Sequence, residues 1–258
     1  MSISTPTTFV LVPGSFVTPV EYDKMIALLE SKGHSVKPVE LQSVNAGSRM
    51  PPATFEEDVS HIRSAIIEIL DQQKQNVVLA VHSYGGVPGS SAVSGLSIKD
   101  RQAAGHETAV TGIVYIASFL PVLNESLRDI MREHMPEDYR AGFPGDYYPP
   151  TQPEFVPFIF NDVTDQAEVA KYYGAMTRHA SDTFSGKTTY EAWKDIESVQ
   201  IIPQSDYIVP VMVQEHMYKR TVEEGGKVRR VAIEGGGHCP NISQPDLVVG
   251  ELLKVAGL

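Results

Sequence analysis

The stretch Asn76-Val-Val-Leu-Ala-Val-His-Ser-Tyr-Gly-Gly decides the fold. It is a short, nearly continuous apolar run, the pattern of a strand buried on both faces of a parallel sheet. It ends abruptly in a serine followed by two glycines. A serine there sits on a sharp strand-to-helix turn, with its hydroxyl held out at the carboxyl edge of the sheet and the next helix's N-terminus beneath it. Gly85 lets the helix start pack against the strand without a Cβ in the way. Ser83 is therefore a candidate nucleophile. Two things temper the motif. Val81 occupies a position where a small residue is usual, and a strand–Ser–Gly–helix turn also serves as plain packing.

Three other strand ends bear on the choice. Thr8-Phe-Val-Leu-Val-Pro-Gly-Ser-Phe breaks at Pro13-Gly14. Val199-Gln-Ile-Ile-Pro-Gln-Ser-Asp-Tyr-Ile-Val-Pro is a strand followed by an aspartate and a proline-started helix. Val231-Ala-Ile-Glu-Gly-Gly-Gly-His-Cys-Pro ends in three glycines and a histidine. The chain order is thus Ser83, Asp206, His238, each just past a predicted strand. The chemistry fits these residue types: a serine hydroxyl is a weak nucleophile until a base takes its proton, and His238 is that base. Asp206 fixes the tautomer of the imidazole and stabilises the imidazolium. The backbone N–H groups of Tyr84 and Ser15 are the expected oxyanion donors, each worth on the order of 3 kcal/mol of barrier. Glu125, after the fourth strand, is the reserve acid.

The order Ser, acid, His is the one α/β-hydrolases use. The chain resembles compact members of that superfamily, the group containing plant methylesterases and hydroxynitrile lyases and the fungal and bacterial hydrolases similar to them. The matching segments are Val10-Leu-Val-Pro-Gly, His82-Ser-Tyr-Gly-Gly, Val114-Tyr-Ile-Ala-Ser-Phe-Leu-Pro, Tyr190-Glu-Ala-Trp-Lys-Asp-Ile, Ser205-Asp-Tyr-Ile-Val-Pro and Gly236-Gly-His-Cys-Pro-Asn-Ile-Ser-Gln-Pro. They span residues 8–245, nearly the whole chain. No strand pair precedes residue 8, so the resemblance implies an α/β fold with a six-stranded, mostly parallel sheet, helices on both faces and the first two strands of the larger fold missing. It also implies a cap over the active site.

The rest of the chain agrees with one large domain. Strands are predicted at 8–13, 35–41, 76–82, 111–118, 199–205 and 228–233, and helices at 20–32, 54–74, from Ser83 to about 95, 210–223 and 244–256. Residues 1–120 and 194–258 form the core, and 121–193 break the alternation. That insertion holds seven prolines between 121 and 157, helical segments around 164–180 and 12 of the chain's 21 aromatics. It reads either as a small satellite core or as a cap whose rings line an apolar cavity. Phe16, Tyr148, Phe158, His179 and Trp193 are the candidate lining residues.

The net charge of −11 argues against nucleic acid or an anionic membrane as partner, leaving a small-molecule substrate, with a homodimer as the assembly to test. One cysteine excludes an internal disulfide and suits a reducing compartment. The N-terminal residues carry no basic region and no long apolar run, so a cytoplasmic location is expected. No trio of histidines and carboxylates has metal-ligand spacing, and no phosphate loop is present; neither metal nor cofactor is expected. His34, His61, His106, His134 and His216 read as surface residues, His82 as buried against the sheet, and Cys239 as packing.

Three function classes stay open. The first is a serine esterase or lactonase acting through an acyl-enzyme on a small, largely apolar molecule. The second is a non-hydrolytic enzyme on the same triad, a lyase or a carbon–carbon bond-cleaving or cyclising enzyme of secondary metabolism. The plant lyases carry a threonine and a lysine where this chain has Gly14 and Cys239, which disfavours the lyase version. The third is a catalytically silent receptor, for which an intact triad has no use.

Overall fold

A computed structural model describes residues 5–44, 47, 49–132, 134 and 145–258. The expectations for the N-terminal Met1–Ser4 and for residues 133 and 135–144 of the insertion lie outside the described residues. Six strands build one sheet: β1 (Thr7–Val12), β2 (Ser35–Pro38), β3 (Asn76–His82), β4 (Val110–Ile116), β7 (Ser198–Pro203) and β8 (Val228–Ile233). Their spatial order is β2-β1-β3-β4-β7-β8, and every neighbouring pair is parallel. The alternating strands and helices demand this, because parallel neighbours need crossovers that lay helices over the sheet.

The four inner strands are buried nearly throughout, while the two edges are not. β2 is short, half exposed and carries Lys37, and β8 turns Arg229 and Arg230 outward. Charged side chains on an edge strand discourage pairing with another sheet. β2 stops three residues before its predicted end; its last bond to β1 is the Val39 N–H donating to the Leu11 carbonyl at 2.9 Å, one residue before β1 itself ends at Val12. Alternate residues of the inner strands feed two apolar layers. Val77, Leu79 and Val81 pack with Ile62, Ile66 and Trp193 on one face, and Val78 and Ala80 with Phe9, Leu11, Met25 and Leu252 on the other.

The long predicted helix at 54–74 begins at Phe55 because Thr54 caps it. The Thr54 hydroxyl accepts the Glu57 N–H at 3.3 Å and the Glu57 carboxylate accepts the Thr54 N–H at 2.9 Å. It runs to Ile67 and finishes in a wider turn, Glu68–Gln72. A helix at Ile98–Ala103, absent from the sequence reading, starts at Ser97, whose hydroxyl accepts the Asp100 N–H.

Between β4 and β7 the chain forms short helices and a two-stranded antiparallel pair, β5 (Tyr147–Tyr148) with β6 (His179–Ala180). Helix was expected across about 164–180. The structure has it only at Gln166–Gly174. Beyond that the backbone is taken by other partners. The Thr177 N–H donates to the Phe16 carbonyl at 2.7 Å, and His179 bridges to Val44. Those bonds are incompatible with a continued helical ladder. Part of this segment also has a small core of its own, in which Ile159, Phe160, Val163 and Tyr172 meet Cys239 and Ile242. No helix among the described residues is long and apolar enough to cross a membrane.

Candidate active site

Ser83, Asp206 and His238 follow the carboxyl ends of β3, β7 and β8, and the ring of His82, next to Ser83, packs on that of His238 at 4.8 Å. Ser83 directly follows β3 and has φ +48°, a left-handed conformation that a non-glycine residue adopts only under local constraint. Two neighbours enforce the turn. The Ser118 hydroxyl donates to the Ser83 carbonyl at 2.6 Å. Gly85 approaches the first strand so closely that a Cβ there would fall 2.6 Å from the Pro13 carbonyl oxygen and 2.9 Å from that of Val12.

β7 and β8 are neighbours, so the loops that follow them meet. The Nδ1 of His238 lies 3.1 and 3.0 Å from the two carboxylate oxygens of Asp206. The carboxylate is itself fixed: Oδ1 accepts the backbone N–H groups of Ile208 and Val209 at 2.8 and 2.9 Å, and Oδ2 accepts the Gln214 side-chain amide at 2.9 Å. A carboxylate accepts only, so Nδ1 carries the hydrogen and Nε2 keeps its lone pair for a proton. No direct hydrogen bond joins Nε2 to the Ser83 hydroxyl in this structure. Such bonds commonly tighten only with substrate bound. Glu125 is engaged elsewhere. It grips the Arg220 guanidinium with both oxygens at 2.8 Å and accepts the Val122 N–H.

The loop after β1 presents three consecutive backbone N–H groups. That of Gly14 faces Glu21 Oε1 at 3.3 Å, and that of Phe16 faces the Nδ1 of His179 at 3.4 Å. The Ser15 N–H between them has no acceptor among the described residues. Gly14 itself is close against the elbow, since a Cβ there would lie 3.1 Å from the Ser83 Cβ.

The candidate pocket residues divide. Phe16, Tyr148 and His179 come together with Tyr84 and Phe184, a ring the sequence reading did not single out. Tyr148 stacks on Phe184 at 5.0 Å, Phe16 meets His179 at 5.6 Å, and Tyr84 meets His179 edge-on at 4.8 Å. Complete burial pushes the His179 imidazole down to about 3, so this ring cluster is uncharged at neutral pH. Its Nε2 donates to the Thr183 hydroxyl at 2.8 Å, fixing the tautomer that leaves Nδ1 to accept from Phe16. Trp193 is not among these rings. It lies fully buried in the main core, its indole N–H donating to the Pro121 carbonyl at 2.9 Å. Phe158 is 49% exposed and meets Tyr207, the residue after Asp206, edge to face.

The Tyr84 hydroxyl donates to Asp58, a buried carboxylate that also takes the N–H and hydroxyl of Ser43. Burial raises the Asp58 pKa. No group of three metal-ligating side chains occurs among the described residues. All three candidate residues are closed in: Ser83, Asp206 and His238 are 8, 4 and 5% exposed. A neighbouring cleft of about 500 Å³ lies between Val17–Pro19, Glu40–Gln42 and residues 174–177, and is not lined by any of the three.

Residues 9–251 match the model of the alpha/beta hydrolase family. The chain is 28% identical over 248 residues to the alpha/beta hydrolase nvfD of Aspergillus novofumigatus, covering 96% of each chain. Among solved structures, a pyrethroid hydrolase from Sphingobium faniae superposes with a TM-score of 0.73 at 19% identity, over 98% of each chain. Tomato methylketone synthase I, solved with 2-tridecanone, gives 0.71 at 16% identity, again over 98% of each chain.

Proposed function

The chain belongs to the α/β-hydrolase family and is a hydrolase, and we propose that it cleaves a small, largely apolar carboxylic ester or lactone through an acyl-enzyme on Ser83. The observation that carries this reading is the Asp206–His238 contact beside the left-handed Ser83 turn. Ser83 Oγ attacks the carbonyl carbon while His238 Nε2 takes the hydroxyl proton. The tetrahedral oxyanion accepts hydrogen bonds from the N–H groups of Ser15 and Tyr84. Its collapse breaks the ester bond, and the proton on His238 leaves with the alcohol. Water then attacks the acyl-enzyme with His238 again as base, releasing the acid and restoring Ser83.

The uncharged aromatic wall supports an apolar substrate, since Tyr84 follows the nucleophile and Phe16 follows the oxyanion donor. In this reading residues 121–193 are the cap, because they supply Tyr148, His179 and Phe184. The lyase alternative is weakened by Cys239, whose thiol is pushed well up by burial and by the nearby Glu21 charge and which packs among apolar side chains. The test is a panel of acyl esters and lactones against the wild type and Ser83→Ala. Turnover of apolar esters or lactones, lost by more than fiftyfold in the variant, is expected. Turnover that survives the substitution overturns the nucleophile assignment.

A further inference from the structure

Glu21 lies on the turn Pro19–Tyr22 that leads into the helix Asp23–Ser31, a place where a glutamate is ordinarily solvated. Here it is 3% exposed. Its Oε1 accepts the Gly14 N–H at 3.3 Å, and its backbone carbonyl accepts the Asn241 amide at 3.1 Å. Its Oε2 faces the Nδ1 of His82 at 3.2 Å, and neither of those two buried atoms has another partner. They meet at ion-pair distance rather than in a well-aligned hydrogen bond, so each is compensated only by the other. A buried carboxylate without a counter-charge is costly.

His82 directly precedes Ser83. Its Nε2 is 2.9 Å from the His238 carbonyl oxygen, and its ring packs on the His238 ring at 4.8 Å. A carbonyl oxygen accepts only, so Nε2 carries a hydrogen. An ionised carboxylate also accepts only, so Nδ1 carries one as well. A ring protonated at both nitrogens is an imidazolium.

We propose that Glu21 and His82 are a buried ion pair that positions the catalytic loops: the oxyanion loop through Gly14, the nucleophile turn through the backbone of His82, and the histidine loop through the His238 carbonyl. Both are positioning residues, and the role rests on the proposed Ser83 chemistry. The groups facing His82 fit the charge state. Glu21 comes from the turn before the first helix, His238 and Cys239 from the loop after β8, and Asp206 from the loop after β7. Tyr22 lies beside Glu21 with its hydroxyl bonded to the Val12 carbonyl. The Tyr22 hydroxyl and Cys239 thiol are both held neutral, by burial first and by the Glu21 charge second, and the Asp206 carboxylate is occupied by His238. Burial, the largest single influence, would lower the His82 pKa, but the charge and contact of Glu21, the His238 carbonyl and the Asp206 charge together outweigh it and the net shift is upward. The pair therefore opens as rising pH strips His82 of its proton.

The test uses the full-length protein with ¹⁵N-labelled histidine and needs no substrate for its first arm, so it fails separately from the esterase reading. Wild type at pH 7 should show a doubly protonated ring that disappears in His82→Asn. In Glu21→Gln the amide can donate to Nδ1 and keep the geometry, so the same ring should be neutral at that pH. A neutral His82 in the wild type, or a titration that Glu21→Gln leaves unmoved, overturns the ion pair. In the second arm, Glu21→Leu should lower kcat at least tenfold with KM within threefold, and Glu21→Gln should recover most of it. A Leu variant within threefold of wild-type kcat overturns the positioning role. Should that variant not fold, the alkaline fall in kcat decides: it should be present in the wild type and absent in Glu21→Gln, and coincident profiles overturn the proposal.

Discussion

Replacing Asp206 by asparagine changes one oxygen to an NH2 group, and the surrounding bonds dictate which one. Oδ1 receives two backbone N–H groups at 2.8 and 2.9 Å, and an amide NH2 cannot accept from them, so the asparagine oxygen stays there. The NH2 then takes the place of Oδ2, 3.0 Å from His238 Nδ1. Facing that nitrogen, it favours the tautomer with the ring hydrogen on Nε2, which leaves no lone pair for the Ser83 proton, over the one remaining 3.1 Å contact of Nδ1 with Oδ1. It also meets the Gln214 amide, donor against donor, at a 2.9 Å contact. A wrong tautomer in a Ser-His-Asp site lowers kcat by about 10⁴, equivalent to about 5 kcal/mol of barrier. The control is Glu125→Gln. It disturbs the Arg220 pair but touches nothing on His238, and kcat should stay within about tenfold, or 1.4 kcal/mol. The assay is steady-state hydrolysis of a p-nitrophenyl ester on variants matched for folded fraction. An Asp206→Asn variant within tenfold of wild type, or a larger loss in Glu125→Gln, refutes the assignment of the acid.

Two further outcomes follow from the packing. Gly85→Ala puts a methyl group 2.6 Å from the Pro13 carbonyl oxygen, so the oxyanion loop must shift; kcat should fall more than KM rises, with about 1–3 kcal/mol lost in urea unfolding, and unchanged kinetics and midpoint would contradict the close approach. His179 is neutral in the fold, with its pKa pushed by burial from 6.5 to about 3. Its contribution is therefore present above about pH 6.5 and lost as pH falls toward 3. Between pH 7 and 5 it should cost roughly 2 kcal/mol of stability, a loss that His179→Gln should abolish in paired unfolding curves; parallel curves for the two proteins would remove His179 from the account.

The sheet was legible because parallel strands buried on both faces leave near-continuous apolar runs, and three of them run into loops that carry Ser83, Asp206 and His238. Adjacency of the last two strands, hence of Asp206 and His238, followed from the resemblance, not from spacing. The insertion was harder. Two-residue strands such as Tyr147–Tyr148 have no periodicity to read, and the backbone at 177–180 leaves the helix because Phe16, Ser43 and Val44 pair with it from far along the chain. Trp193, fully buried with its indole N–H on the Pro121 carbonyl, shows that aromaticity alone does not mark a pocket residue. Glu21 and Asp58 look like ordinary acids in the first turns of amphipathic helices. Only the fold buries one against His82 and the other against Tyr84. The sole advance hint of either was that His82 read as buried, since a buried imidazole needs partners. Ser97, with Asp100 three residues on, did carry a readable helix start.

The central claim is that Ser83 is the nucleophile of an acyl-transfer site. Incubation with a fluorophosphonate, followed by peptide mass spectrometry, tests it most directly. The account predicts one phosphonyl adduct, on the peptide containing Ser83, formed in step with loss of ester hydrolysis and missing from Ser83→Ala. An unmodified Ser83 in fully inhibited protein, or hydrolysis that continues after Ser83 is fully labelled, would contradict it.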